Sequence, residues 1–134
     1  MNRKIKGING EREIIHLFHK YGWNAIRVAG SGSSRYPSPD ILAGNGSRII
    51  ALECKIIKSK TIYIQKTDIE QLNIFAQGFG AEPWTGIKFQ KDQWYFLPLH
   101  DLEQSQLSYV INHLFAKQKG FVFEELIQKN DIRL

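Results

Sequence analysis

The sequence offers almost nothing for covalent crosslinking: its 134 residues include a single cysteine, Cys54. That excludes an intrachain disulfide and a cysteine-rich zinc site, and it fits a reducing, cytoplasmic compartment. Long apolar runs are also missing. No stretch approaches the roughly 20 consecutive apolar residues of a membrane span, so no membrane partner is expected. The opening MNRKIKGING is basic but leads into no apolar segment, which excludes a secretory signal there. Repeats, low-complexity tracts and composition shifts of the kind that mark linkers are absent too. One domain over residues 1–134 is the organisation expected.

Acidic residues are scarce in the first quarter of the chain. Residues 1–35 carry seven bases (Arg3, Lys4, Lys6, Arg12, Lys20, Arg27, Arg35) against Glu11 and Glu13. Through Lys66 there are twelve bases and four acids, a charge of +8, and the remainder of the chain is −3. A gradient of this kind points to one surface that meets a polyanion, with nucleic acid the obvious candidate. The duller alternative is a basic surface kept for solubility. With 43% apolar residues the chain has material for a real core.

Apolar periodicity predicts a helix from Ile8 to Tyr21, carried by Ile14, Ile15 and Phe18 and stopped by Gly22. A short strand is expected from Trp23 to Val28, then a loop from Ala29 to Pro39 rich in Gly, Ser and Pro. Two strands, Asp40 to Ala43 and Arg48 to Ile57, flank Gly44-Asn45-Gly46-Ser47, a strong hairpin signal because Asn and Gly accept positive φ. The second strand is apolar on both parities, which places it centrally under cover on both faces. A further strand is read at Thr61 to Ile64 and a helix at Lys66 to Gln77. A second hairpin joins Glu82 to Phe89 with Trp94 to Leu97, and a terminal helix runs from Phe121 to Gln128. Leu107 to Leu114 fits more than one state. This order implies an α/β fold, a mixed central sheet flanked by helices.

The chemistry-bearing pattern is Pro39-Asp40, twelve residues, then Glu53-Cys54-Lys55. Strand alternation sends Glu53 and Lys55 from one face, and the hairpin brings Asp40 alongside them. Two carboxylates at one sheet edge make a hard oxygen site suited to Mg²⁺, with Mn²⁺ as a substitute, and a neighbouring lysine can orient water or offset phosphate charge. A surface ion pair is the alternative for Glu53 and Lys55, at some cost in an otherwise apolar strand. Glu11 lies in line with the buried stripe of the first helix. Its partner is either that helix's own N-terminal dipole or the carboxylate site.

The segments KGINGERE (Lys6–Glu13), IRVAGSGSSRYPSPDILAGNG (Ile26–Gly46), ALECK (Ala51–Lys55), IYIQK (Ile62–Lys66), FAQGFGAE (Phe75–Glu82) and WYFLPL (Trp94–Leu99) together resemble the archaeal Holliday-junction resolvases. The resemblance runs in order over about the first hundred residues and fades beyond His100. It implies a restriction-endonuclease-like core that works as a homodimer on four-way DNA junctions, with no small-molecule cofactor. It assigns catalysis to Glu11, Asp40, Glu53 and Lys55. Metal binding falls on Glu11, Asp40, Glu53 and the main-chain carbonyl of Cys54. Arg12 and Arg27 match basic positions that contact DNA or support the site, the family's serine-bearing loop falls on Ser31 and Ser33, and its helix aromatic falls on Phe75. With Gly32 and Arg35 the loop is also small and basic enough to approach phosphate closely. The basic residues Arg3, Lys4 and Lys6 join that surface by charge. Phe75 reads equally as core, and the duller reading of the loop is a plain flexible connection. A dimer surface is sought among Phe75, Phe79, Trp84, Phe89, Trp94 and Phe96, all of which are also candidates for the core. Two alternatives stand beside junction resolution: a related repair or restriction nuclease that cuts duplex, and a DNA-binding module whose carboxylates only pair with lysines.

Overall fold

The computed structural model describes residues 3–30 and 35–128, with only the backbone of residues 3 and 4. Helix α1 (Arg3–Lys20) buries Ile14 and Phe18 on one face. It starts five residues before the expected Ile8, because its basic first turns carry no apolar period from which to read a start. It ends where Gly22 adopts a φ of 85°, a left-handed conformation that glycine takes without a Cβ clash.

Strands β1 (Asn24–Arg27), β2 (Ile41–Gly44) and β3 (Ile49–Ile57) form an antiparallel run. The β2–β3 turn is built as the sequence indicates. The Asn45 side chain accepts from the backbone N–H of Ser47 and Arg48 at 2.8 and 2.7 Å, and Gly46 sits at a φ of 93°. Strand β4 (Thr61–Gln65) leads into α2 (Lys66–Phe79), which closes on Gly80 at a φ of 80°. Strand β5 (Glu82–Phe89) returns parallel to β3, and β6 (Trp94–Pro98) pairs antiparallel with β5. The main sheet therefore runs β1-β2-β3-β5-β6, with β3 in the middle as expected from its two apolar faces.

After a short 3₁₀ turn at Leu99–Asp101 come β7 (Glu103–Gln104), β8 (Ser108–Asn112), α3 (His113–Lys119) and α4 (Phe123–Gln128). Strands β4, β8 and β7 make a second small antiparallel sheet, which settles the ambiguous Leu107–Leu114 stretch mostly as strand.

One face of the main sheet packs Ile50, Leu52, Trp84 and Phe96 against Ile14 and Phe18 of α1 and Phe123 and Leu126 of α4. The opposite face packs Ala51, Ile87 and Leu97 against Ile69, Leu72 and Ala76 of α2, with Ile62, Ile64 and Ile111 of the small sheet. Arg48 ties the end of the first layer together. It grips Glu82 through two contacts of 2.8 Å, donates to the Leu126 carbonyl at 2.8 Å, and lies 5.5 Å from the Trp23 ring. Trp84 Nε1 adds a bond of 3.2 Å to the same glutamate, so this buried charge is well partnered.

Candidate active site

Pairing between β2 and β3 begins at Ile41 opposite Leu52, so Asp40 lies just outside β2 and next to Glu53. Its Oδ2 accepts from the Cys54 N–H at 2.8 Å, taking the place a neighbouring strand's carbonyl would fill. Asp40 also donates its own N–H to the Leu52 carbonyl at 3.0 Å. The carboxylate is thereby held at the point where β2 leaves β3. Cross-strand neighbours project on the same side, so Glu53 meets Asp40, and the two carboxyls are within hydrogen-bond reach.

Lys55, two residues on, places its Nζ 3.7 Å from Glu53 Oε2. Its side chain keeps 38% exposure against 16% for Glu53, so the ammonium faces solvent while the carboxyl is largely covered. Cys54 points to the other side. Burial, then the surrounding carboxylates, push its thiol well above 9, so only its backbone can take part.

Glu11 reaches the site from the opposite layer. Gly10 lets α1 approach β3 closely: a Cβ there would run into the Ile56 side chain and meet the Trp94 ring. Glu11 pairs with Arg27 of β1 at 3.7 Å. It is the ninth residue of an 18-residue helix, which removes the first-turn dipole as its partner; Arg27 is the cation it meets, with Asp40 as its nearest carboxylate influence. Its carboxyl is pushed up to about 7, chiefly by burial and then by Asp40, with Arg27 and Lys55 opposing. Glu53 is pushed up to about 8 by burial, then by Asp40, with Lys55 opposing and Asp68 adding to the rise. Asp40 is thus the common neighbour of two desolvated glutamates.

Asp68, in the first turn of α2, is a fourth carboxylate that the sequence did not single out. Its approach to Glu53 follows from α2 packing on the β3 face, a tertiary contact with no local motif.

Among the described residues no three Asp, Glu, His or Cys side chains form a ready-made ion-holding cluster. Asp40 and Glu53 meet, whereas Glu11 is drawn toward Arg27. The donor set nevertheless fits a hard divalent cation. Three crowded carboxylates, Glu11, Asp40 and Glu53, face two cations, and a bound divalent ion would add the positive charge this group lacks.

Of the expected DNA-contacting residues, Arg12 and Arg35 are exposed, and Lys6 and Arg27 are half-buried. Arg35 lies 5.7 Å from the Tyr36 ring. Ser31, Gly32 and Ser33, with the side chains of Arg3 and Lys4, lie outside the described residues. Phe75 is partly buried against the α2-side core and stacks on Phe79 at 5.2 Å. Four members of the proposed dimer surface, Trp84, Phe89, Trp94 and Phe96, are core residues no more than 4% exposed. Phe79 at 50% and Ile74 at 60% remain open on α2.

A mixed sheet with a Pro-Asp, Glu-x-Lys constellation at its edge defines the class, a restriction-endonuclease-like nuclease core. The comparisons narrow it. The archaeal Holliday junction resolvase (Hjc) family profile matches residues 2–133, and this chain belongs to that family. It is 42% identical over 109 residues to the crossover junction endodeoxyribonuclease Hjc of Archaeoglobus fulgidus, covering 81% of this chain and 80% of that protein. It is 33% identical over 130 residues to the Hjc of Sulfolobus acidocaldarius, covering 96% and 90%. The solved structure of the Archaeoglobus fulgidus Hjc, described as a Holliday junction resolvase from an archaeal hyperthermophile, superposes with a TM-score of 0.83. Its sequence identity is 38%, over 89% of this chain and 96% of that one.

Proposed function

We infer that the protein is a structure-selective endonuclease that resolves four-way DNA junctions by metal-dependent phosphodiester hydrolysis, acting as a homodimer in the cytoplasm. The observation that carries the reading is the meeting of Asp40 with Glu53 beside Lys55, on a chain of the resolvase family. Asp40, Glu53, the Cys54 carbonyl and, after a shift away from Arg27, Glu11 would hold Mg²⁺ or Mn²⁺. When bound, the ion supplies charge against the scissile phosphate and lowers the pKa of its water.

The chain's own groups do the rest. Lys55, with its ammonium turned to solvent, sits where it can pair with a phosphate oxygen and hold the attacking water in line. Arg27, released from Glu11 by that shift, adds positive charge beside the phosphate track. Burial of Glu53 excludes competing water from the ligand side. No described helix is long and apolar enough to cross a membrane.

The test is strand cleavage of a four-way junction and of a duplex of the same sequence, each with and without Mg²⁺. Metal-dependent paired nicks on the junction alone support the reading. Equal cutting of duplex would make the protein a general nuclease. Junction binding with no cutting in any metal would make it a binding module.

A further inference from the structure

We propose that the cleft between the β4–β8 edge and α3 is a second phosphate-binding site, occupied by a backbone phosphate of a DNA arm running out from the active site. The proposal rests on the reading of the chain as a junction nuclease. The cleft measures about 340 Å³ and is lined by Lys60, Thr61, Asn112, His113, Leu114 and Lys117. Five of the six lining side chains are polar or basic and none is acidic. Neither Lys60 nor Lys117 has an ion-pair partner among the described residues.

The cleft is also rigidly framed. Thr61 is paired in register with Asn112, and the His113 N–H donates to the Lys60 carbonyl at 2.7 Å. The Asn112 side chain accepts from the Phe115 N–H at 2.7 Å, which fixes the turn into α3. The His113 ring lies against Phe89 and is anchored through Nε2 to Asp92 Oδ2 at 2.6 Å. Asp92, the acid that holds the His113 ring, is also engaged by the Tyr95 hydroxyl at 2.9 Å and by the Gln93 N–H at 2.8 Å. It forms no ion pair with either lysine.

The location favours DNA over a free anion. Strand β3 runs from the active site toward this end of the molecule. Lys55 and Lys58 are three residues apart, about 10 Å at ~3.3 Å per residue. A duplex presents one phosphate per strand roughly every 3.4 Å of its axis, so that span is about three base pairs. The Gln90 N–H donates to the Ile57 carbonyl at 2.7 Å, which sets the β5–β6 turn, with Lys91, against the end of β3. Lys58, Lys60, Lys91 and Lys117 thus gather at one end of the molecule. The last two belong to the part of the chain whose net charge is −3, so the lysines there are a local exception.

The experiment compares the parent with the Lys60→Gln/Lys117→Gln variant in binding a four-way junction in EDTA across a salt series. Each phosphate contact contributes about 0.9 to the slope of log affinity against log salt, so the slope should fall by about 1 to 2. Methylphosphonate placed two to five base pairs from the branch should weaken the parent and leave the variant unaffected. If the double variant melts early, Lys117→Gln alone is read, with an expected fall of about 0.9. An unchanged slope, with a parent that binds and cuts junctions, overturns the cleft while the junction reading stands. A parent that does neither overturns both. Inorganic phosphate is the remaining arm. If it shifts the Lys60 and His113 amide resonances only in the parent, while the junction slope is unaltered, the site takes a free anion and the DNA assignment is overturned.

Discussion

Glu53→Gln should remove cleavage and, in chelator, make the fold more stable. Glu53 carries two loads without metal: it is largely buried, and it faces the Asp40 carboxylate. Its carboxyl rises from the ordinary 4.5 to about 8. For an acid shifted upward, the folded state holds the proton over a range where the unfolded chain has released it. Stability is therefore full below 4.5 and is lost as pH climbs toward 8. At about 1.4 kcal/mol per pH unit, the 2.5 units between 4.5 and pH 7 correspond to ~3 kcal/mol. Relaxation and residual solvent around a side chain 16% exposed reduce this to about 2 kcal/mol. Glutamine keeps the shape and can donate to Asp40 as the protonated acid does, but it has nothing to ionise. In urea titrations with EDTA the parent should weaken from pH 5 to pH 8 while the variant changes less. The gap at pH 7 should correspond to about 5–10 °C in Tm for a domain of this size. Added Mg²⁺ should close the gap by stabilising the parent alone, and the variant should leave a four-way junction uncut in the same buffer. A variant less stable than the parent at pH 8 in EDTA, or a parent whose stability is flat across that range, refutes the crowding argument.

Binding to junction DNA should be strongly salt-dependent, and Arg12→Gln or Arg35→Gln should each lower the log–log slope by about 0.9 if the residue contacts a phosphate. A slope unaltered by both would move the DNA track off this face. Mixing parent chains with Glu53→Gln chains should give dimers that nick one strand without the paired cut, and sedimentation at micromolar protein should give twice the chain mass. A monomer both free and on junction DNA would contradict the dimer. Arg48→Met leaves the buried Glu82 carboxylate without its cation and should cost about 3–5 kcal/mol in urea unfolding. A loss below about 1 kcal/mol would mean that α4 repacks to shield the glutamate.

The legible part of the site was the part written along single strands. Alternation on β3 fixes Glu53 and Lys55 on one face and Cys54 on the other, and Asn45-Gly46 fixes the turn that returns the chain. Asp40 follows from those two facts. For Glu11 the sequence left two partners open, the N-terminal dipole and the carboxylate site, and did not show its pairing with Arg27. Its helix begins at Arg3, and a first turn made of Arg, Lys, Ile and Lys has no periodicity to reveal it. Asp68 was illegible for another reason: only the folding of α2 back onto β3 brings it near Glu53, and no spacing encodes that. The aromatics of β5 and β6 were open to two readings, interface or core, and burial decides for the second. A candidate interface made of Trp84, Phe89, Trp94 and Phe96 turned out to be core, because those strands are covered on both faces. The small sheet escaped because β7 has two residues and β8 pairs with a strand more than forty positions away.

The site exists because two neighbouring strands part company. Strand β2 pairs with β3 only as far as Leu52, and β3 runs on to Ile57 with β5 on its other side. A bare strand edge would ordinarily be a liability, since its N–H groups need acceptors. Asp40 meets that need at Cys54 with a side chain instead of a backbone carbonyl, and so converts the edge into a charged one. The same placement lets Asp40 see both layers. Glu53 projects toward the α2 side and Glu11 arrives from the α1 side, and each registers Asp40 as its principal carboxylate neighbour. Had β2 continued by one more pair, the Cys54 N–H would bond to backbone and the carboxylate would have no reason to turn inward. The stability that the fold forgoes at this edge is the charge crowding that a bound divalent cation would relieve.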